Sequence, residues 1–229
     1  MPGVSGQPLR YYDFAMAAFV AILLCSNLIG AAKVASISGF EFGAGILFFP
    51  LSYVLGDVLT EVYGYARARR VVWMGFAALI FMAVMSTVVV GLPPADTWHG
   101  QSAYETVFAV TPRIVIASIV AFWAGELANA YVMARMKVWM EGKRLWTRTI
   151  GSTVVGQGVD SLLFYPIAFL GIWEIETVFT ILVTNYMLKV VWEAMLTPVT
   201  YRVVAALKRA EGVDVYDTDT DFTPFSLRS

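Results

Sequence analysis

Residues 71–92 read VVWMGFAALIFMAVMSTVVVGL, twenty-two residues without one ionisable side chain. Roughly 20 apolar residues in a helix cross a bilayer core of about 30 Å, so this stretch alone predicts a membrane span. Just before it stand Arg67, Arg69 and Arg70, the basic flank that marks the cytoplasmic end of a span. The rest of the chain agrees. Of its 229 residues 59% are apolar and 14% charged, against about 25% charged in an ordinary soluble domain. A globule of this size cannot hide that much apolar surface, and lipid is the solvent it requires. The net charge of −1 gives no electrostatic reason to bind nucleic acid. The single cysteine, Cys25, excludes an internal disulfide and a Cys-based zinc site, and the single histidine, His99, argues against a His-rich metal site.

The same criterion, carried outward in both directions, gives six spans: Phe14 to Ala32, Gly43 to Tyr63, Val71 to Leu92, Pro112 to Met133, Thr149 to Trp173 and Thr177 to Ala206. None alternates apolar and polar residues, which excludes a transmembrane β-barrel; the first is too long and lacks the exit site of a cleaved signal. The expected fold is an all-α integral membrane protein. It divides into an N-terminal segment (1–12), a six-helix transport domain (13–209) and an acidic tail (210–229). Orientation follows from the bases. Arg10, Arg67, Arg69, Arg70, Arg135, Lys137, Lys143, Arg144, Arg148, Arg202, Lys208, Arg209 and Arg228 fall on one side of such a topology, against Lys33 and Arg113 on the other. Both termini are therefore expected in the cytoplasm. The tail holds five acids, Glu211, Asp214, Asp217, Asp219 and Asp221, and reads as a solvated, flexible end.

Six ionisable groups lie within the expected spans: Asp57, Glu61, Glu126, Asp160, Lys189 and Glu193. Each costs about 2.5 to 3.5 kcal/mol or more in lipid, so each faces a partner or a cavity. Counted from the nearest cytoplasmic base, Asp57, Glu126, Asp160 and Glu193 lie nine to twelve residues into their helices. That is about 13 to 18 Å of rise, near mid-bilayer. Four helices thus bring an acid to one depth, and a shared polar chamber is the natural reading. Glu126 and Asn129 share a helix face, as do Gln157 and Asp160, and Asn185, Lys189 and Glu193. Glu61 sits one turn closer to the cytoplasm, where Arg67 is an alternative partner. Lys189 either neutralises an acid of another helix or pairs with Glu193 on its own. Polar groups of this kind also serve simply to join helices.

Other features are local. Gly56-Asp57 and its basic end (Arg67, Arg69) are echoed by Gly125-Glu126 with Arg135 and Lys137, a parallel internal repeat. Gly43, Gly45, Gly151, Gly156 and Gly158 suggest close helix approach, while Pro50, Pro166 and Pro198 are expected to interrupt spans. Trp73, Trp139 and Trp146 read as interfacial belt residues.

The stretch Phe49-Pro50-Leu51-Ser52-Tyr53-Val54-Leu55-Gly56-Asp57-Val58-Leu59-Thr60-Glu61-Val62-Tyr63-Gly64-Tyr65, followed by Arg67-Ala68-Arg69-Arg70, resembles the signature of the bacterial queuosine-precursor transporters, also called the vitamin uptake transporter family. Thr111-Pro112-Arg113-Ile114 through Gly125-Glu126 and Asn129 matches as well, as does Leu145-Trp146 with Arg148-Thr149-Ile150-Gly151-Ser152-Thr153 through Gly156-Gln157 and Asp160-Ser161. The resemblance implies a multi-pass importer of the bacterial inner membrane, related in fold to the substrate-binding components of energy-coupling-factor transporters. Its cargo would be 7-cyano-7-deazaguanine, 7-aminomethyl-7-deazaguanine or both, salvaged for tRNA modification. No enzyme activity, cofactor or metal is implied, and a homodimer is compatible. A guanine-like edge presents N1–H and an exocyclic amine, two parallel donors that one carboxylate accepts together. Asp57, Glu126 or Asp160 suits that contact, with Gln157 or Asn185 for the base carbonyl and Phe49, Tyr53 or Phe164 for stacking. Asn129 completes the expected binding set, while Glu61, Lys189 and Glu193 would tune charge or carry a coupling proton. The residues alone equally allow a proton- or cation-coupled transporter of another small solute, or of a hard cation.

Overall fold

The computed structural model describes residues 9–29, 34–37, 40–43, 48–108 and 112–226. Lys33, Gly45, Arg228 and most of the N-terminal segment lie outside them. Six long helices stand where the six spans were expected: α1 (Tyr12–Leu28), α2 (Phe49–Tyr63), α3 (Tyr65–Val90), α5 (Pro112–Trp139), α6 (Leu145–Phe169) and α7 (Ile175–Glu211). A short α4 (Gln101–Phe108) precedes α5. Among the described residues three stretches are long and apolar enough to cross a membrane: Tyr65–Val90, Gln101–Trp139 and Ile175–Glu211.

Two corrections concern the second span. An antiparallel hairpin, β1 (Val34–Ile37) with β2 (Phe40–Gly43), precedes it. Val34, Ile37, Phe40 and Phe42 are branched or aromatic and favour extended backbone. Gly43 therefore closes a strand, and helix begins only at Phe49. Pro50 opens α2 in its first turn, where its missing N–H leaves no intrahelical bond unmade; Pro166 and Pro198 do lie inside α6 and α7. At 15 residues α2 rises only about 22 Å, and it is buried over nearly its whole length by its neighbours.

The bundle shows apolar side chains to the outside as well as burying an apolar core that includes Phe19, Leu23, Val58, Val62 and Phe122. On α7 every fourth residue from Phe179 through Val183, Met187, Val191 and Met195 to Val199 is exposed, while Glu193, Thr197 and Thr200 are buried. Lipid accepts the first row, and the second is left to find partners inside.

The acidic tail is tied to the bundle at several points, although Asp214, Asp219 and Asp221 stay exposed. Glu211 accepts the N–H groups of Arg10 (3.0 Å) and Tyr11 (2.7 Å) and the Tyr63 hydroxyl (2.8 Å). It thereby caps α1, which has no cap of its own, and puts the start of α1 and the end of α7 at the same end of the bundle. Asp214 pairs with Lys137 (2.5 Å) and Lys208 (2.8 Å). Burial pushes its carboxyl up, but hydrogen bonds and charge from these two lysines outweigh that and hold it below the usual aspartate value. Asp217 is 2% exposed and accepts the N–H of Tyr65 at 3.0 Å, capping α3 just after Gly64, whose φ is +85°. Further on, Arg69 donates to the carbonyls of Asp221 and Thr223, both at 2.7 Å, and Trp73 Nε1 to that of Pro224 at 2.8 Å. Phe222 packs on Tyr65 and Tyr131, and Phe225 on Trp73 and Trp123. Trp73 is thus an anchor for the tail, whereas Trp139 and Trp146 are exposed. Acids spaced along a flexible-looking segment find bases and bare helix N-termini, and those bonds offset the entropy of ordering it.

Removing the Asp217 cap should be felt globally. Asp217→Ala is expected to destabilise the protein by about 1 to 2 kcal/mol, seen as a lower melting temperature in detergent. Exposed Asp219→Ala should leave that temperature unchanged.

Candidate functional site

The sequence of α2 puts Tyr53, Asp57 and Glu61 one turn apart on one face, all 1% exposed or less. α5 and α6, which make the most extensive helix contact in the bundle, meet that face with small residues. A Cβ on Gly156 would lie 2.7 Å from Asn129 Cβ and 3.0 Å from the Gly125 carbonyl; one on Gly125 would lie 2.9 Å from Asp160 Cβ. Only glycine at both positions lets the two backbones come this near. A Cβ on Gly56 would meet the Glu126 carboxylate at 2.8 Å, so α2 too is bare where an acid of α5 approaches it. The echoed Gly-acid pairs of α2 and α5 therefore sit at one site.

Within it, Asn129 Nδ2 donates to Asp57 Oδ1 at 2.7 Å, and the Ser152 hydroxyl lies 3.4 Å from the same oxygen. Lys189 Nζ of α7 reaches Asp160 Oδ2 at 2.6 Å and lies 4.4 Å above the Phe49 ring, which in turn packs on Tyr53 with centroids 5.4 Å apart. The lysine thus neutralises an acid of another helix rather than Glu193 on its own. Asp57, Glu126, Asn129, Gln157, Asp160 and Glu193 are each 4% exposed or less. Asp57 Oδ2, Glu126 Oε1, Asn129 Oδ1, Gln157 Oε1 and both oxygens of Glu193 have no hydrogen-bond partner among the described residues; nor do the hydroxyls of Tyr53, Thr153 and Ser161. Most of these atoms are carboxyl or amide oxygens, which accept hydrogen bonds, and a carboxyl donates only when it holds a proton. The arrangement suits a guest rich in N–H groups.

Two expected members stand apart. Asn185 is half-buried and donates to the Ile181 carbonyl of its own helix at 3.0 Å. Glu61 belongs to a separate cluster one turn further along α2. Its Oε1 meets Arg148 Nη2 at 2.8 Å, Lys208 Nζ at 2.7 Å and Lys137 Nζ at 3.6 Å, and Arg67 is not among its partners. Ser152, Lys137, Arg148 and Lys208 were not singled out as site residues. The three cations were counted with the cytoplasmic bases, yet Lys137 and Arg148 are 1% exposed. Among the described residues no group of three or more His, Cys, Asp or Glu side chains converges as a metal site.

Residues 43–203 match the family described as "Putative vitamin uptake transporter". This chain belongs to the vitamin uptake transporter family. It is similar to the "Probable queuosine precursor transporter" of Bacillus subtilis, with 31% identity over 179 residues, 78% of each chain. It also resembles the "Queuosine precursor transporter" of Escherichia coli, with 28% identity over 167 residues, 72% of this chain and 73% of that one. No solved structure matches it. The matched region takes in α2, α5, α6 and most of α7, and so every residue of the polar site.

The close approach of α5 and α6 is itself testable. Gly156→Ala places a methyl against the Asn129 side chain and the Gly125 backbone, and overpacking of this kind costs about 1 to 3 kcal/mol. A lower melting temperature and weakened transport are expected together. Gly158→Ala meets only the Tyr186 ring, at 3.9 Å, and should be neutral in both assays.

Proposed function

We propose that the protein imports queuosine precursors, 7-cyano-7-deazaguanine, 7-aminomethyl-7-deazaguanine or both, across the bacterial inner membrane for tRNA-modification salvage. It does so as six membrane-crossing helices with both termini in the cytoplasm. The observation that carries the reading is the set of buried acceptors without partners, drawn from α2, α5, α6 and α7, in a chain whose relatives are named for that cargo. A 7-deazaguanine offers N–H donors on two sides of a flat ring. Its N1–H and exocyclic amine suit the free oxygens of Asp57 or Glu126, and its pyrrole N–H suits an amide oxygen such as that of Asn129 or Gln157. Tyr53 and Phe49 offer the ring a flat apolar neighbour, although Lys189 already covers one face of Phe49. Asp160, held by Lys189, is better placed to fix the charge balance than to bind the base. Glu193, with neither oxygen partnered, is the group we assign to carrying a proton. Asn185 is spent on its own helix and is given no contact.

Uptake of labelled base is the test, in cells that cannot make it. A charge-assisted hydrogen bond is worth about 1.5 to 3 kcal/mol. Asp57→Asn and Glu126→Gln should each lower uptake by roughly ten- to a hundredfold at limiting base, and Asp160→Asn should also reduce it. Parental rates in all three would sink the chamber. Uptake of a different solute by the parent, with no uptake of base, would favour another small-solute transporter built on the same site.

A further inference from the structure

The cluster at Glu61 is assigned no contact with the base, and it is built across five parts of the chain. α2 supplies Glu61, α5 Lys137, α6 Arg148 and α7 Lys208, while the tail supplies Asp214. Lys137 Nζ bonds three acceptors at once: the Glu61 carbonyl (2.5 Å), Asp214 Oδ1 (2.5 Å) and the Val215 carbonyl (2.7 Å). Lys208 Nζ spans the two carboxylates, 2.7 Å from Glu61 Oε1 and 2.8 Å from Asp214 Oδ1. Because Glu61 follows Asp57 by one helical turn, these charges lie between the chamber and the end of the bundle that the tail covers.

Charge counting shows what the tail contributes. With Asp214 seated, three cations face two carboxylates. Without it, the same three cations from α5, α6 and α7 face Glu61 alone. An unpartnered charge in a poorly solvated site is strongly unfavourable, and like charges on neighbouring helices repel. The asymmetry in exposure points the same way: the side chains of Glu61, Lys137 and Arg148 are 1% exposed, while that of Asp214 is 43% exposed. Lys208 is 23% exposed, so the partner that comes from the tail is the member of the cluster most open to water. It also hangs from a pivot, because Gly212, at φ +65°, follows α7 with nothing within 4 Å of where its Cβ would be.

We propose that residues 212–226 form a gate. Seated between Lys137 and Lys208, Asp214 keeps the helix ends drawn together and the chamber closed toward the tail side. Withdrawal of the segment about Gly212 lets Lys137, Arg148 and Lys208 part and opens the chamber there. The proposal rests on the chamber reading for what the gate guards, but not on the identity of the cargo.

Thr149, fully buried on α6 beside Arg148, lies just above the cluster, and Ala168 lies fully buried near the other end of the same helix. In full-length Cys25→Ser protein purified in detergent, Thr149→Cys and Ala168→Cys serve as separate reporters for a bulky polar maleimide. Asp214→Asn is expected to speed labelling at position 149 several-fold and leave position 168 unchanged. Asp214→Glu should restore slow labelling, and Asp219→Asn should have no effect. Unchanged labelling at 149 in Asp214→Asn would overturn the gate. So would equal acceleration at 149 and 168, which marks general loosening instead. No base is present in the assay, so a wrong cargo leaves its outcome untouched, and a failed gate leaves the uptake losses of the chamber variants as they stand.

Discussion

A carboxylate surrounded by hydrocarbon has to be answered from within the protein, and α2 carries two of them one turn apart, Asp57 and Glu61. The rest of the bundle can be read as two different answers. Glu61 is answered in charge: Arg148 and Lys208 crowd its Oε1 and Lys137 stands close by, although its Oε2 has no hydrogen-bond partner among the described residues. Asp57 is half-answered, with the neutral Asn129 and Ser152 on one oxygen and no partner among the described residues on the other. An acid ringed by cations locks helices together. One without a cation, beside Glu126 with one unpartnered oxygen and Glu193 with two, leaves binding capacity for a guest.

Both answers depend on helices coming close. Glycine at 125 and 156 brings α5 against α6, and glycine at 56 admits the Glu126 carboxylate to the side of α2. Larger residues there would widen the bundle and let the acids reach bulk solvent or lipid. The outward rows of Val, Met and Phe place no demand on register, since lipid accepts them in any arrangement. Specific structure is therefore concentrated inside, in small residues and hydrogen-bonding pairs.

Much of this was legible in the sequence. Long apolar runs located the helices, and the spacing of acids from the basic clusters placed Asp57, Glu126, Asp160 and Glu193 at one level. What escaped has physical reasons. The hairpin before α2 is short and apolar, and a hydropathy criterion reads such residues as the start of a span. The tail looked solvated because it holds five acids and no base. Of the partners of its acids Lys208 is near in sequence, but Lys137, Tyr63 and Tyr65 come from α5, α2 and α3 and are brought in by the fold. Lys137, Arg148 and Lys208 were read as interfacial charges because a count of bases along the chain cannot tell a side chain in water from one folded back onto a buried acid. Asn185 shared a helix face with Lys189 and Glu193, but its amide turns to its own backbone.

The central claim is that the half-answered acids are the binding site. An experimental structure of the protein with 7-cyano-7-deazaguanine bound tests it most directly. The account predicts the base between α2, α5 and α6, its donor edge within hydrogen-bond distance of Asp57 Oδ2 or Glu126 Oε1. A base lodged elsewhere, with those oxygens still turned to nothing but protein, would contradict it.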